Sequence, residues 1–115
     1  MEILLRNFIL EIAIPLMLYL YSLSYKKQIN AITIPKKGGF RTDYSIINIE
    51  NWRFVNKIAY EVTVKVIVIQ LFIVFISIII LLKKLMNPTL NYVIVILIML
   101  IMHLLSTWYI QTKKI

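Results

Sequence analysis

Three long runs of apolar residues limit what this chain of 115 residues can fold into. They occupy residues 3–23, 62–82 and 89–110, and an α-helix needs roughly 20 such residues to cross the hydrocarbon core of a bilayer. Isolated strands are a poor alternative because an open sheet leaves unpaired backbone groups in lipid. We therefore predict an all-α membrane protein with three transmembrane helices in one domain, residues 1–115.

The composition agrees with a membrane location and argues against several classes of function. Hydrophobic residues make up 61% of the chain, against about 45–50% in soluble domains. The formal charge of +8 favours anionic lipid as the partner over nucleic acid, since no DNA- or RNA-binding module accompanies it. With no cysteine and one histidine, we expect no disulfide, metal centre or cofactor. Without a phosphate-binding loop or a second acid near Glu11, we expect no enzyme.

The first apolar run is the least regular of the three. Arg6, Asn7, Glu11 and Pro15 interrupt it, and a secretory signal peptide is the competing interpretation. Its start is not net basic, however, and no small-x-small cleavage site follows the apolar stretch. We expect it to remain attached as the first span.

Lysine and arginine are distributed unequally around the spans. Seven lie in the predicted loop 24–61 and two in the C-terminal tail, against three on the opposite side. Because basic residues favour the cytoplasmic side, we predict an external N-terminus, with the loop and the C-terminus in the cytoplasm. Tyr25, Trp52, Trp108 and Tyr109 would then lie near the cytoplasmic interface, where we expect Trp52 to anchor its helix.

Polar residues recur every seventh position along the second span. Asn56, Thr63, Gln70, Ser77 and Lys84 form this stripe, and the spacing keeps them on one slowly drifting helix face. We predict that the stripe faces protein. Two interpretations stay open: hydrogen bonding between packed helices, or a polar seam that admits a ligand or peptide. Dimerisation would be a further way to bury the stripe.

The depth of each intramembrane polar residue predicts its partner. At about 1.5 Å per residue, Gln70 and His103 share one level, and Glu11 and Ser77 share another. We therefore predict a Gln70–His103 pair, and a pair between Glu11 and either Ser77 or a lysine of the turn after the second span. Ionisable groups inside a membrane are functional candidates, and a structural role is the alternative for both Glu11 and His103.

The loop before the second span contains the only two glycines of the chain, in the stretch KKGGFRTDYS. Paired glycines indicate a tight turn or a close approach to another group. Ser45 or Asn48 can cap a helix that starts after them. The apolar and basic residues beyond this point predict an interfacial helix in the loop, leading into the second span.

The spacing in this loop is more specific than its composition. It reads Gly39-x-Arg41-Thr42-x-x-Ser45-x-x-Asn48-x-x-x-Trp52-x-x-x-Asn56, and we call these seven residues the spaced motif. The pattern resembles the signature of the SdpI family of bacterial membrane proteins, and the plan of one span before it and two after it also fits. Departures are Val55 and Tyr60, where the family often has alanine and glycine, and the additional membrane half of its better-known members.

The resemblance implies a function in immunity. Members of the family protect the producing cell against a secreted toxic peptide, and one also signals by holding a transcriptional repressor at the membrane. It implies that the spaced motif is the functional region and that the membrane is the bacterial cell membrane. Arg41 would then either pin the loop to its own helices or bind an acidic group of a partner through its planar fork.

Two other classes of function remain open from the sequence. A small exporter could use Glu11, although such exporters have four spans and glycine-rich helices, whereas the three spans here contain no glycine. A holin-like or accessory membrane protein would fit the size and charge, but it would leave the spaced motif unexplained.

Overall fold

The computed structural model describes residues 2–114 and consists of three α-helices. Helix α1 is Glu2–Gln28, α2 is Ile49–Leu82 and α3 is Pro88–Gln111. Each is long and apolar enough to cross a membrane, and residues 2–114 contain no strand. The predicted all-α fold is confirmed, and each of the three predicted spans falls in a helix that is able to cross a membrane by its length and composition.

The bundle has two ends that differ in their connections. We call the end that carries residues 29–48 and the C-terminal residues the loop end. The turn end carries the start of α1 and residues 83–87. Helix α2 lies against both other helices, and its contact with α1 is more extensive than its contact with α3.

Helix boundaries follow local capping chemistry. The side chain of Asn48 accepts a hydrogen bond from the Asn51 N–H at 2.8 Å, which caps α2 as predicted. Pro88 stands in the first turn of α3 after the capping residue Asn87, where its missing N–H costs no helical hydrogen bond. Pro15 lies inside α1 without ending it, as occurs in membrane helices when neighbouring groups compensate.

Helix α2 starts earlier than the predicted span. It runs for 34 residues, or about 51 Å at 1.5 Å per residue, and it contains neither glycine nor proline to interrupt it. A separate interfacial helix, predicted for the loop before the second span, is therefore not found in the part of the chain described. Residues 49–61 are instead the first turns of α2, and residues 43–47 form turns and a bend.

The polar stripe of α2 faces the inside of the bundle, as predicted. Asn56, Thr63, Gln70 and Ser77 are all buried, whereas Lys84, in the turn after the helix, is exposed. These four residues are covered within a single chain, so the stripe gives no reason to expect a dimer. Large apolar side chains such as Phe72 and Leu104 cover the outside instead, which suits a surface surrounded by lipid tails.

Two apolar clusters separate the polar groups along the bundle axis. Val55, Ala59 and Ile110 pack together near the loop end. Val74, Val95 and Met99 form the second cluster, nearer the turn end. Buried polar residues gather at the loop end and close to the turn end, and Thr63 and Gln70 of α2 lie between these two groups.

Candidate functional site

The two glycines begin the site at the loop end, and both need the left-handed backbone conformation. Gly38 has φ +86° and Gly39 has φ +72°. A Cβ atom on Gly39 would lie 2.5 Å from Cζ2 of Trp52 and 3.0 Å from Oδ1 of Asn56, whereas one on Gly38 would meet Ser24 Oγ at an ordinary 3.5 Å. Gly39 is therefore required by a close approach within the chain itself, and Gly38 only by its backbone angle.

Asn56 holds the segment after the glycines. Its Oδ1 accepts a hydrogen bond from the Phe40 N–H at 2.7 Å, and its Nδ2 donates to the Trp52 carbonyl at 2.9 Å. The side chain is 0% exposed. One amide thus joins the loop to α2 and satisfies a backbone donor that would otherwise be left unpaired.

Thr42 and Ser45 close a short turn by bonding to each other. The Thr42 N–H donates to Ser45 Oγ at 2.8 Å, and the Ser45 N–H donates to Thr42 Oγ1 at 2.9 Å. The Ser45 hydroxyl donates in turn to the Thr42 carbonyl at 3.0 Å. Ser45 therefore stabilises the turn before α2, and Asn48 alone serves as the helix cap.

Trp52 lies at the centre of the site. It is 0% exposed, its Nε1–H donates to Gln28 Oε1 at 3.1 Å, and the Arg41 guanidinium lies 5.3 Å from the centre of its ring. The prediction that Trp52 anchors the helix at the lipid interface is wrong, because the loop folds over the ring and removes it from lipid. Trp108 and Tyr109 remain exposed near the same end.

Arg41 is an exposed residue of the site. Its Nη2 donates to the carbonyl oxygen of Pro35, and Arg41 lines a polar cleft of about 440 Å³. The cleft is lined by Arg41, Thr42, Asp43, Tyr44, Gln111 and Lys114. The structure thus brings Arg41 to the surface above Trp52 while using part of its donor capacity to hold the loop.

Three residues of this site were not predicted from the sequence. Ser24 Oγ accepts from the Gly39 N–H at 3.1 Å, Gln28 accepts from Trp52, and Arg53 Nε donates to the Ala31 carbonyl at 2.7 Å. Ser24 and Gln28 stand one turn apart in the last turns of α1, so they share a face. That spacing was the only feature of the sequence that linked Ser24 and Gln28, and it does not indicate which groups they bond to.

The second polar group lies close to the turn end, where all three helices contribute. Ser77 Oγ donates to Glu11 Oε1 at 3.1 Å, which confirms the predicted Glu11–Ser77 pair. Asn91 Nδ2 donates to Ser77 Oγ at 2.7 Å, a member of the cluster that the sequence did not indicate. Asn7 Nδ2 donates to the Pro88 carbonyl at 3.2 Å. We call Asn7, Glu11, Ser77 and Asn91 the turn-end cluster.

The predicted Gln70–His103 pair is wrong. Gln70 is 0% exposed, and neither its Nε2 nor its Oε1 has a hydrogen-bond partner among residues 2–114. His103 is exposed, because the inward face of α3 passes through the more buried Met102 and Ser106 beside it. Gln70 and His103 lie at the same depth, but the rotation of α3 about its axis directs the His103 side chain away from Gln70.

Within residues 2–114, no group of three histidine, cysteine, aspartate or glutamate side chains is placed to hold a metal ion. Comparisons with protein-family models, with curated proteins and with solved structures found no match to this chain. The function of the chain is therefore inferred from its sequence and from the geometry of the two polar groups.

Proposed function

We propose that this chain is a membrane immunity protein that protects a bacterial cell against a secreted antimicrobial peptide, as its resemblance to the SdpI family implies. In this proposal the spaced motif forms the recognition region at the cytoplasmic side. The N-terminus lies outside the cell, and the loop and the C-terminus lie inside. A signalling role, in which the cytoplasmic face holds a repressor, belongs to the same proposal.

The observation that carries the proposal is that residues of the spaced motif have two different roles. Gly39, Ser45, Trp52 and Asn56 pack and hydrogen-bond within the chain, so they explain why the spacing is so specific. Arg41 stays exposed on top of them. A rigid base that presents one guanidinium is the arrangement expected of a recognition site, because a held arginine loses less conformational freedom on binding.

The charge around Arg41 suits an acidic partner. Arg41 and Lys114 line one cleft together with Asp43, and Gln111 adds a neutral hydrogen-bonding group. An acidic side chain or the carboxylate of a peptide C-terminus could form paired hydrogen bonds with the guanidinium. The target class we propose is therefore a peptide or protein segment that presents a carboxylate at the membrane edge.

The proposal is tested by expressing the chain in a bacterium that is sensitive to secreted antimicrobial peptides and challenging the cells with a panel of purified peptides. We expect the wild type to raise survival against at least one peptide and Arg41→Ala to lose that protection at equal membrane abundance. Lys57→Ala is the matched control, since Lys57 is an exposed basic residue outside the spaced motif, and it should protect normally.

Two outcomes would count against the proposal. Full protection by Arg41→Ala would contradict the role of the spaced motif in recognition. If neither the wild type nor a variant protects against any peptide, the immunity function is contradicted.

The orientation of the chain can be tested separately, because the chain has no native cysteine. Labelling of Lys37→Cys by an impermeant reagent from outside intact cells would reverse the proposed topology.

A further inference from the structure

Only one of the two carboxyl oxygens of Glu11 has a hydrogen-bond partner among residues 2–114. Its Oε1 accepts a hydrogen bond from Ser77, but Oε2 has no hydrogen-bond partner in the described part of the chain, although the side chain is 0% exposed. A polar atom buried without a partner destabilises a fold, and a buried uncompensated charge destabilises it far more. Glu11 lies within a membrane-spanning helix, so its free oxygen requires a compensating group.

The hydrogen bonds next to Glu11 all donate towards its carboxyl group. Asn91 donates to Ser77, and Ser77 donates to Glu11, so the chain of donors ends on Oε1. Asn91 also stands at the start of α3, the end of a helix that carries partial positive charge. These contacts stabilise one side of the carboxyl group and leave the side at Oε2 for a cation.

No charged side chain of the packed helices, among residues 2–114, is placed to fill that role. The ionisable residues nearest to Glu11 along the three elements are Glu2, Arg6, Tyr19, Lys83, Lys84 and Tyr92. The four charged ones are all exposed at the turn end. Tyr19 is exposed, and Tyr92 is half-buried. Glu61 and Lys65 of α2, and His103 of α3, lie about 18 Å or more from the level of Glu11, measured along the helices towards the loop end.

We propose that Glu11 Oε2 is a binding position for a monovalent cation, the class that comprises a proton and a sodium ion. A single carboxylate carries one negative charge, so one positive charge neutralises the site, whereas a divalent ion would leave it positive. Entry is from the turn end, because Glu11 lies only nine residues along α1 from Glu2, or about 14 Å of helix. The site rests on the turn-end cluster and does not depend on the proposed immunity function.

The experiment uses the full chain in nanodiscs of zwitterionic lipid and follows the infrared bands of the carboxyl groups. We expect the Glu11 band to change from protonated to ionised as the pH rises if the cation is a proton. If the cation is sodium, we expect the change on replacing choline chloride by sodium chloride at fixed pH, with a rise in the thermal midpoint. Glu11→Gln should lose the response, and Glu61→Gln, on an exposed part of α2, should keep it.

Ser77→Ala gives a second readout that does not depend on replacing Glu11. It removes the donor to Oε1 and should shift the frequency of the responding band without abolishing it. The proposal is overturned if no carboxyl band assigned to Glu11 responds to pH or to sodium, or if Glu11→Gln responds as the wild type does. A band that responds in the wild type but is unchanged in Ser77→Ala would place the cation on another carboxyl group and would also overturn it.

Discussion

The polar group at the loop end and the turn-end cluster differ in how completely their hydrogen bonds are satisfied. At the loop end, the buried amide of Asn56 and the indole of Trp52 both have partners. In the membrane-spanning part, Glu11 Oε2 and both amide atoms of Gln70 have none among residues 2–114. Asn56, Trp52, Glu11 and Gln70 are all 0% exposed, so the difference between these side chains lies in their partners and not in their exposure.

This difference indicates that the two polar groups have different roles. A polar network whose members are all satisfied rigidifies the structure around it, as Asn56 does for the loop. A buried network with an unsatisfied member carries the desolvation cost of that member. The loop end therefore resembles a rigid platform, whereas Glu11 Oε2 in the turn-end cluster is the position to which we assign a cation.

The largest expected effect comes from Gly39→Ala, which would break the platform. The new Cβ would overlap the Trp52 ring and would occupy a left-handed backbone position. We expect a loss of about 3 kcal/mol or more, from overpacking and from the backbone conformation together. Gly38→Ala is the control, because its Cβ has room, and it should cost only about 1 kcal/mol. Thermal unfolding in detergent measures both, and equal losses would contradict the role given to Trp52.

The next effect comes from Asn56→Ala, which removes the amide that joins loop and helix. The Phe40 N–H loses its partner, and the Trp52 carbonyl loses the side-chain donor that supplements its helical hydrogen bond. We expect a loss of about 2 kcal/mol. We also expect faster proteolysis of the loop. The exposed Asn30→Ala should change the stability little, by about 0.5 kcal/mol or less. A loop that resists protease equally in both variants would argue against a satisfied platform.

Gln70→Leu should act in the opposite direction and sharpen the contrast. Replacing an amide that has no partner in the described part of the chain by an apolar side chain of similar size removes a desolvation cost, so we expect a gain of about 1 kcal/mol. Ser77→Ala is the counterpart, because Ser77 is bonded to both Glu11 and Asn91, and it should cost about 0.6 kcal/mol. Thermal unfolding measures both variants, and destabilisation by Gln70→Leu would indicate that Gln70 has a bonded partner after all.

The smallest expected effect lies in a turn that belongs to neither polar group. Lys84 follows the end of α2 with φ +54°, and the N–H groups of Lys84 and Leu85 donate to the carbonyls of Leu81 and Ile80. Glycine suits that position better, so Lys84→Gly should stabilise the chain by a few tenths of a kcal/mol to about 1 kcal/mol. Lys83→Gly, at φ −88°, should not stabilise it, and the thermal midpoints of the two variants distinguish these outcomes.

Much of the fold was predictable because it depends on patterns along one helix. The three spans follow from the length of the apolar runs, and the burial of Thr63 and Ser77 follows from their seven-residue spacing. The Glu11–Ser77 pair was also predictable, since both residues lie on inward faces at one depth. The Gln70–His103 prediction failed because depth gives no information on the rotation of a helix about its axis.

The candidate site was predictable in its residues but not in its contacts. The spacing from Gly39 to Asn56 marked the right segment, yet the burial of Trp52 and the roles of Ser24 and Gln28 arise from contacts between α1, the loop and α2. Those contacts join residues 15 or more positions apart in the chain. No local sequence pattern indicates the direction in which a loop folds back onto the helices.

The sequence alone thus determined the membrane class, the three helices and the positions of their polar residues, because hydrophobic length and helical period are local properties. Only the tertiary structure decided that Gly39 lies against Trp52, that Arg41 remains at the surface, and that Glu11 keeps one oxygen without a partner among residues 2–114. These outcomes depend on how three helices rotate and pack against one another, which is a property of the whole bundle.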